Sequence, residues 1–258
     1  MSARFRALLF FAVASCATSH VSLTGELKYG KSAEEDYQAG NEELKKHNFA
    51  EATKFFEHVR TKYPFSKYAA LADLRIADAR FDQGHYLEAA ESYQQFVKLH
   101  PNHEQADYAA YRVGLSHFKD APSEFILFPP TYEKDQAQIR DAARTLDEFV
   151  RKYPESTYRP DAEKLFAQAR ARLAEHEWYV AQFYAKREHW AGAAGRLETL
   201  LREYPGSPRE AAALYQLAEL YLKQDERYRA QQKLQELIVK YPQDARRAQA
   251  EKLLASLR

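Results

Sequence analysis

A proline preceded by an aromatic residue or a histidine returns five times along this chain: Tyr63-Pro64, His100-Pro101, Tyr153-Pro154, Tyr204-Pro205 and Tyr241-Pro242. Consecutive prolines lie 37, 53, 51 and 37 residues apart. Twelve residues before each proline stands an alanine: Ala52, Ala89, Ala142, Ala193 and Ala230. Eight before it stands Phe56, Tyr93, Leu146, Leu197 or Leu234, and five before it Val59, Phe96, Phe149, Leu200 or Leu237. Gly40, Ala77, Ala181 and Ala218 lie twenty-four residues before the first, second, fourth and fifth prolines. Internal periodicity of this kind dictates an array of stacked units rather than a single closed core. Small residues let two helix backbones approach, large ones interdigitate, and proline ends the second helix of each pair because it cannot continue it.

The composition agrees. Gly (8) and Pro (10) are scarce and strong helix formers abound, so an all-α fold is expected. The positions match the tetratricopeptide repeat, which predicts a solenoid of five helix-turn-helix repeats. A polar segment over 243–257, with Arg246, Arg247, Gln249, Glu251 and Lys252, reads as a helix capping the end. Two insertions interrupt the period. About 16 residues over 119–134 contain Pro122, Pro129 and Pro130, which forbid a regular helix, so a long loop joins the two helices of repeat three. Between repeats three and four about 14 residues are extra, with no breaker after Pro160, and fourteen residues are close to four helical turns. They predict one long helix over 158–187 that keeps its apolar phase, with a single gap at His176-Glu177.

The N-terminus reads as a signal. Arg4 and Arg6 precede the apolar run 7–13, which is too short to span a bilayer, and Val13-Ala14-Ser15-Cys16 follows. This segment resembles the lipobox of bacterial lipoproteins. That likeness implies cleavage before Cys16, lipidation of Cys16, and a membrane anchor that does not cross the bilayer. Cys16 is the only cysteine, so no disulfide can staple the fold. The expected organisation is a signal peptide over 1–15, the lipidated Cys16 and a flexible tether over 16–32, repeats one to three over 33–157, and the bridging helix, repeats four and five and cap over 158–258.

Chemistry for catalysis is missing from the pattern. No Gly-rich phosphate loop, GxSxG or HExxH occurs. His100 and His103 are the only close histidine pair, and a polar cap explains them better than a metal. Glu34-Glu35 and Glu42-Glu43 read as solvated helix faces. With 38 basic and 37 acidic residues the chain has no nucleic-acid footprint. No cofactor, metal or catalytic residue is expected, and binding is the remaining role. First helices of such repeats line a concave face suited to an extended peptide or a partner helix. The spacing nominates Tyr37, Asn41, Leu74, Asp78, Tyr108 and Tyr111 for that groove, with Tyr68 and Arg112 nearby. The apolar Phe125-Ile126-Leu127-Phe128 could fill the groove from within the chain.

Three stretches carry a family likeness: Tyr63-Pro64-Phe65-Ser66-Lys67-Tyr68; Leu99 to His103 with Asp107-Tyr108 and Tyr111 to Leu115; and Asp135-Gln136 with Ala142 and Phe149 to Pro154. Together with the lipobox they resemble the BamD family of outer-membrane assembly lipoproteins, also called ComL or YfiO. Where relatives often have Arg-Asp before such a glutamine, this chain has Glu133-Lys134 ahead of Asp135-Gln136. The resemblance implies a non-enzymatic scaffold on the periplasmic face of the outer membrane. It would bind unfolded outer-membrane β-barrel proteins through its N-terminal repeats, dock on a BamA-type insertase through its C-terminal repeats, and associate with other assembly lipoproteins. Arg196 matches a family arginine at the insertase contact. The competing expectation is a TolA-binding-like periplasmic repeat protein coordinating envelope constriction.

Overall fold

The computed structural model describes residues 27–122 and 130–257. Cys16, most of the tether and the apolar segment Phe125–Phe128 lie outside the described residues. Eleven α-helices make up the described chain: α1 (Ala33–Lys45), α2 (Phe49–Lys62), α3 (Lys67–Asp82), α4 (Tyr86–Leu99), α5 (Ala106–Asp120), α6 (Ala137–Lys152), α7 (Arg159–Ala185), α8 (Trp190–Glu203), α9 (Glu210–Lys223), α10 (Arg227–Lys240) and α11 (Arg247–Ser256). They pair in sequence as five antiparallel repeats, α1/α2 to α9/α10, with α11 packed on α10. This is the expected tetratricopeptide-repeat solenoid. First helices also touch one another across repeats, α1 with α3 and α5 with α7.

The repeat positions explain the packing. Ala52, Ala89, Ala142, Ala193 and Ala230 have no exposed surface, and neither do Phe56, Tyr93, Leu146, Leu197 and Leu234. The closest approaches occur at glycines. A β-carbon on Gly40 would stand 2.6 Å from the Phe56 ring, and one on Gly114 would stand 2.6 Å from Leu146. Gly114 is therefore the small residue of repeat three. The period hid it because the loop insertion separates it from Pro154 by forty positions.

Each second helix ends as the proline demands. The residue before it, for example Tyr63 or Tyr153, closes the helix by donating its N–H to the carbonyl five positions before the proline (Val59, 2.9 Å; Phe149, 2.9 Å). The turns into three second helices place His47, Glu188 and Asp225 in the left-handed region at φ of 60°, 61° and 61°. Gly84 takes the same place in repeat two with φ of 81°.

Long helix α7 runs over 27 residues, within two residues of the expected bounds at each end. The tether is docked at its C-terminal end. Gly30 donates its N–H to Asp36 Oδ1 at 2.6 Å, and the Tyr29 ring stacks on His58 at 3.9 Å. Among the described residues no helix is long and apolar enough to cross a membrane.

Glu210, buried at the start of α9, ties repeats four and five together. It accepts hydrogen bonds from the Gly206 N–H and from Lys240 Nζ. Burial raises its pKa, but Lys240, the Gly206 N–H and the Tyr241 hydroxyl outweigh that and hold it below the usual 4.5. Its contribution is therefore present above the unfolded value and is lost as pH falls through the depressed folded one. Glu210→Gln should cost about 1–2 kcal/mol at neutral pH by urea denaturation. The difference from the parent should begin to narrow as pH falls below the ordinary value of about 4.5 and close only once pH has passed through the lower folded value; a gap independent of pH would mean that charge plays no part. Two glycines give a second check. Gly114→Leu should destabilise by about 1–3 kcal/mol. Gly195→Ala, in α8 with nothing within 4 Å of the added carbon, should stabilise by about 0.5–1 kcal/mol. Equal melting temperatures for the two variants would contradict the packing register.

Candidate functional site

The first-helix face of repeats one to three is organised around a buried carboxylate. Asp78, on α3, is 5% exposed. Its Oδ1 accepts hydrogen bonds from the Tyr93 hydroxyl at 2.5 Å and the Tyr108 hydroxyl at 2.7 Å. Its Oδ2 accepts one from Arg75 Nη1 at 2.5 Å, and Arg112 Nη2 lies 4.0 Å from Oδ1. Arg75 also donates from Nε to the Tyr37 hydroxyl at 3.2 Å, and Arg112 donates from Nη1 to Tyr108 at 2.9 Å. One carboxylate thus joins α3, α4 and α5 directly and reaches α1 through Arg75. One guanidinium and two hydroxyls hydrogen-bond the buried anion, and the Arg112 charge 4.0 Å away adds to its stabilisation, although the buried Nε and Nη2 of Arg112 find no hydrogen-bond partner.

These surroundings set the protonation states. Burial works against the Arg75 cation, but the charge of Asp78 and the Tyr37 hydroxyl outweigh it and raise its pKa. Burial, reinforced by the charge of Asp78, pushes the Tyr93 and Tyr108 hydroxyls up. Both therefore remain neutral donors at physiological pH. Arg112 sits over aromatic rings, with its guanidinium carbon 3.9 Å from the Phe81 ring centre and 5.2 Å from that of Tyr93.

Beside this floor stands an aromatic wall. Tyr111 stacks on Tyr158 at 5.3 Å with the planes 11° apart, and Tyr108 meets Tyr158 at 5.5 Å. The half-buried Tyr68 packs on Tyr37 at 5.3 Å. An open cleft of about 450 Å³ lies here, lined by Arg75, Gln105, Asp107, Tyr108, Thr157 and Tyr158. Glu104 completes the lining, so the cleft is largely polar: the Arg75 guanidinium and the Gln105 amide stand with the Glu104 and Asp107 carboxyls beside the Tyr108 and Tyr158 rings, a mix that suits a peptide backbone with both donors and acceptors to satisfy. A second cleft of about 430 Å³ is lined by Tyr132, Trp178, Tyr179, Phe183 and Arg209 in repeats three to five.

The structure redistributes the nominated residues. Tyr108, Tyr111, Arg112 and Asp78 come together. Leu74 does not join them: it has no exposed surface and packs with Ala77, Tyr93 and Phe96, so it is core rather than groove. Asp78 is the groove's floor, not an exposed contact. Tyr37 is 7% exposed and presents little more than its hydroxyl, to Arg75. Asn41 is half-exposed one turn along α1. Arg196, on α8, is partly exposed and pairs through Nη1 with Glu177 Oε2 of α7 at 3.2 Å. His100 and His103 both pack on the Phe96 ring at 5.2 Å.

Arg75 and Tyr158 escaped the reading of the sequence. The signal for Tyr158 was present: it stands four residues after Pro154, as Tyr68 stands four after Pro64. Arg75 lies three residues before Asp78 on one helix, a spacing that brings opposite charges together.

The sequence profile of the family described as YfiO, outer membrane lipoprotein, matches residues 30–232. The outer membrane protein assembly factor BamD of Xylella fastidiosa Temecula1 is 28% identical over 191 residues, covering 73% of this chain and 65% of that protein. The protein of the same name from Neisseria meningitidis Z2491 is 28% identical over 214 residues, covering 81% and 80%. Among solved structures, a thermophilic tetratricopeptide-repeat protein of Thermus thermophilus is 15% identical, with 88% and 98% of the two chains covered and a TM-score of 0.36.

Replacing Asp78 tests whether the floor supports the face. Asp78→Asn keeps the shape but leaves Arg75 and Arg112 without an anion, and should cost about 2–4 kcal/mol in urea denaturation. Tyr108→Phe should cost about 1 kcal/mol. A neutral Asp78→Asn would show that the carboxylate is not what holds the helices together.

Proposed function

Because the chain belongs to the YfiO family of outer membrane lipoproteins, we propose that it is a non-enzymatic subunit of the outer-membrane β-barrel assembly machinery. The observation that carries this reading is the family match over 30–232, which spans the N-terminal repeats and most of the C-terminal ones. The relatives' name, outer membrane protein assembly factor, points the same way.

In this reading the face built by α1, α3 and α5 receives segments of unfolded outer-membrane proteins. Tyr68, Tyr108, Tyr111 and Tyr158 supply the contact area, Arg75 meets carbonyl oxygens at the edge, and Asp78 with Arg112 and Tyr37 holds these groups in place from beneath. Extended chains rich in aromatic and alternating apolar residues match such a surface through side-chain stacking and backbone hydrogen bonds. The C-terminal repeats dock on a BamA-type insertase, with Arg196 as one contact. Its pairing with Glu177 presents the guanidinium in a fixed orientation at the surface. Cys16 carries the lipid that anchors the protein to the outer membrane, and other assembly lipoproteins complete the complex. The alternative role, in envelope constriction, has no structural observation in its favour.

A mild-detergent pull-down of the lipidated protein from its own membranes, read by mass spectrometry, tests the assignment. Stoichiometric recovery of a BamA-type barrel protein is expected; recovery of Tol-system proteins without an insertase would overturn it. In the same assay Arg196→Ala should reduce insertase recovery while Glu177→Gln leaves it largely intact. Equal losses would mean that the pair only stabilises the α7–α8 contact. Cys16→Ala should release the protein from membranes once the insertase is removed, and the mass of the N-terminal peptide should report the lipid on Cys16.

A further inference from the structure

The turn between α2 and α3 holds a phenylalanine fully in water. Phe65 is 101% exposed, yet the turn around it is well defined. Pro64 restricts the backbone, Ser66 donates its N–H to the Tyr63 carbonyl at 3.0 Å, and Ser66 Oγ caps α3 by accepting the Tyr68 N–H at 3.1 Å. The equivalent positions after the other four repeat prolines are Asn102, Glu155, Gly206 and Gln243. The repeat itself therefore has no need of an aromatic residue there.

The N-terminal segment arrives at the same corner. Helices of a pair run antiparallel, so the start of α1, the end of α2 and the start of α3 lie at one end of the array. Tyr29 stacks on His58 with the planes 18° apart and meets Phe55 edge-on at 5.6 Å. His58 Nδ1 lies 2.9 Å from the buried Asp36, which also accepts the Gly30 N–H, and the His58 ring meets Tyr63 at 6.0 Å. These contacts latch the chain beside the Phe65 turn. The segments that meet at this corner carry the exposed Lys28, Lys31, Lys62 and Lys67, with Glu34, Glu35 and Glu57 as exposed acids on the same elements.

We propose that this corner is a bilayer-contacting surface: Phe65 enters the interfacial layer of a phospholipid membrane while the four lysines face anionic headgroups. A ring with no part in folding and a cluster of long cationic side chains are the groups that such an interface accommodates. The occupant follows from where the N-terminal chain ends. Tyr29 stands thirteen positions after Cys16, a reach of at most about 45 Å. The setting rests on the lipid anchor at Cys16 proposed above. With the anchor in place, the membrane is held at high effective concentration beside the corner, so a weak contact suffices. It stops the array from swinging on its tether and gives the first-helix face a fixed orientation to the bilayer.

The test uses the mature chain from residue 16 with Cys16→Ser, so that neither signal nor lipid contributes. It is floated with vesicles of phosphatidylethanolamine containing about one quarter phosphatidylglycerol. Salt-sensitive binding is expected. Phe65→Asp should lower the partition coefficient about tenfold or more, and the double variant Lys62→Glu, Lys67→Glu should lower it comparably. Val239→Asp, at an 80% exposed apolar position on α10, should change nothing. A chain that ignores the vesicles, or Phe65→Asp binding as the parent does, overturns the proposal. If Phe65→Asp binds vesicles normally but loses a protein in the pull-down, the corner docks a protein instead of lipid. Since the assay contains no lipidated chain and no insertase, its failure leaves the assembly role and the Cys16 anchor untouched.

Discussion

Each repeat depends on one close approach, of a large side chain on the second helix against a residue with little or no side chain on the first. Gly40 receives Phe56 and Gly114 receives Leu146 at distances that exclude even one added carbon. In the other repeats the partners are the fully buried pairs Ala77 and Tyr93, Ala181 and Leu197, and Ala218 and Leu234. The contact sets how near the two helices stand, and with it the surface each pair presents to the next. A helix pair of this size cannot bury its own apolar face, so stability comes from stacking neighbours. Without a disulfide no covalent cross-link adds to that stacking.

Stacking by apolar contact leaves the inner face polar, and the first three repeats have solved this with a charge. Asp78 lies where α1, α3, α4 and α5 converge. A buried carboxylate is costly unless its oxygens are fully engaged, and here four neighbours engage them. The result is a face whose exposed aromatic and cationic groups are held from beneath. Arg75 and Tyr108 cannot swing away without stripping a hydrogen bond from a buried anion. A rigid face loses less conformational freedom on binding, whatever it binds.

The fold was more legible in the sequence than the site, for a physical reason. Helix ends follow from proline and from small-large periodicity, which act locally, so α7 and the cap fall within a few residues of their expected bounds. Groove residues depend on which side of a helix faces inward, and α3 has no single inward side. Its buried residues include Ala69, Ala72, Leu74, Ile76, Ala77, Asp78 and Ala79, because it is packed by α1, α2 and α4. Leu74 and Asp78 share a helical stripe, yet one is core and the other is the floor of a polar face. Periodicity cannot separate them; only the neighbouring helices do. Tyr158 was missed for the opposite reason, since the repeat register marks it as the counterpart of Tyr68.

The two insertions that break the period turn out to be one feature. Past the loop of repeat three, the chain makes a 3-10 turn over Thr131–Glu133 and lies against α7. His176 Nδ1 is 2.6 Å from the Tyr132 carbonyl, Tyr132 packs on Tyr179 at 5.4 Å, and Arg172 donates to Gln136 at 3.1 Å. Gln136 in turn donates to the Thr131 and Lys134 carbonyls, satisfying a backbone that has no helix to satisfy it. The residues on α7 that do this, Arg172, His176 and Tyr179, lie within the extended helix. The gap in its apolar phase at His176-Glu177 is where it turns polar side chains to both neighbours, His176 toward the loop and Glu177 toward Arg196. A standard repeat would have neither the extra loop to bind nor the extra turns to bind it. Lengthening α7 by nearly whole turns keeps its core face in register while creating a second, polar face, and that face joins the N-terminal repeats to the C-terminal pair.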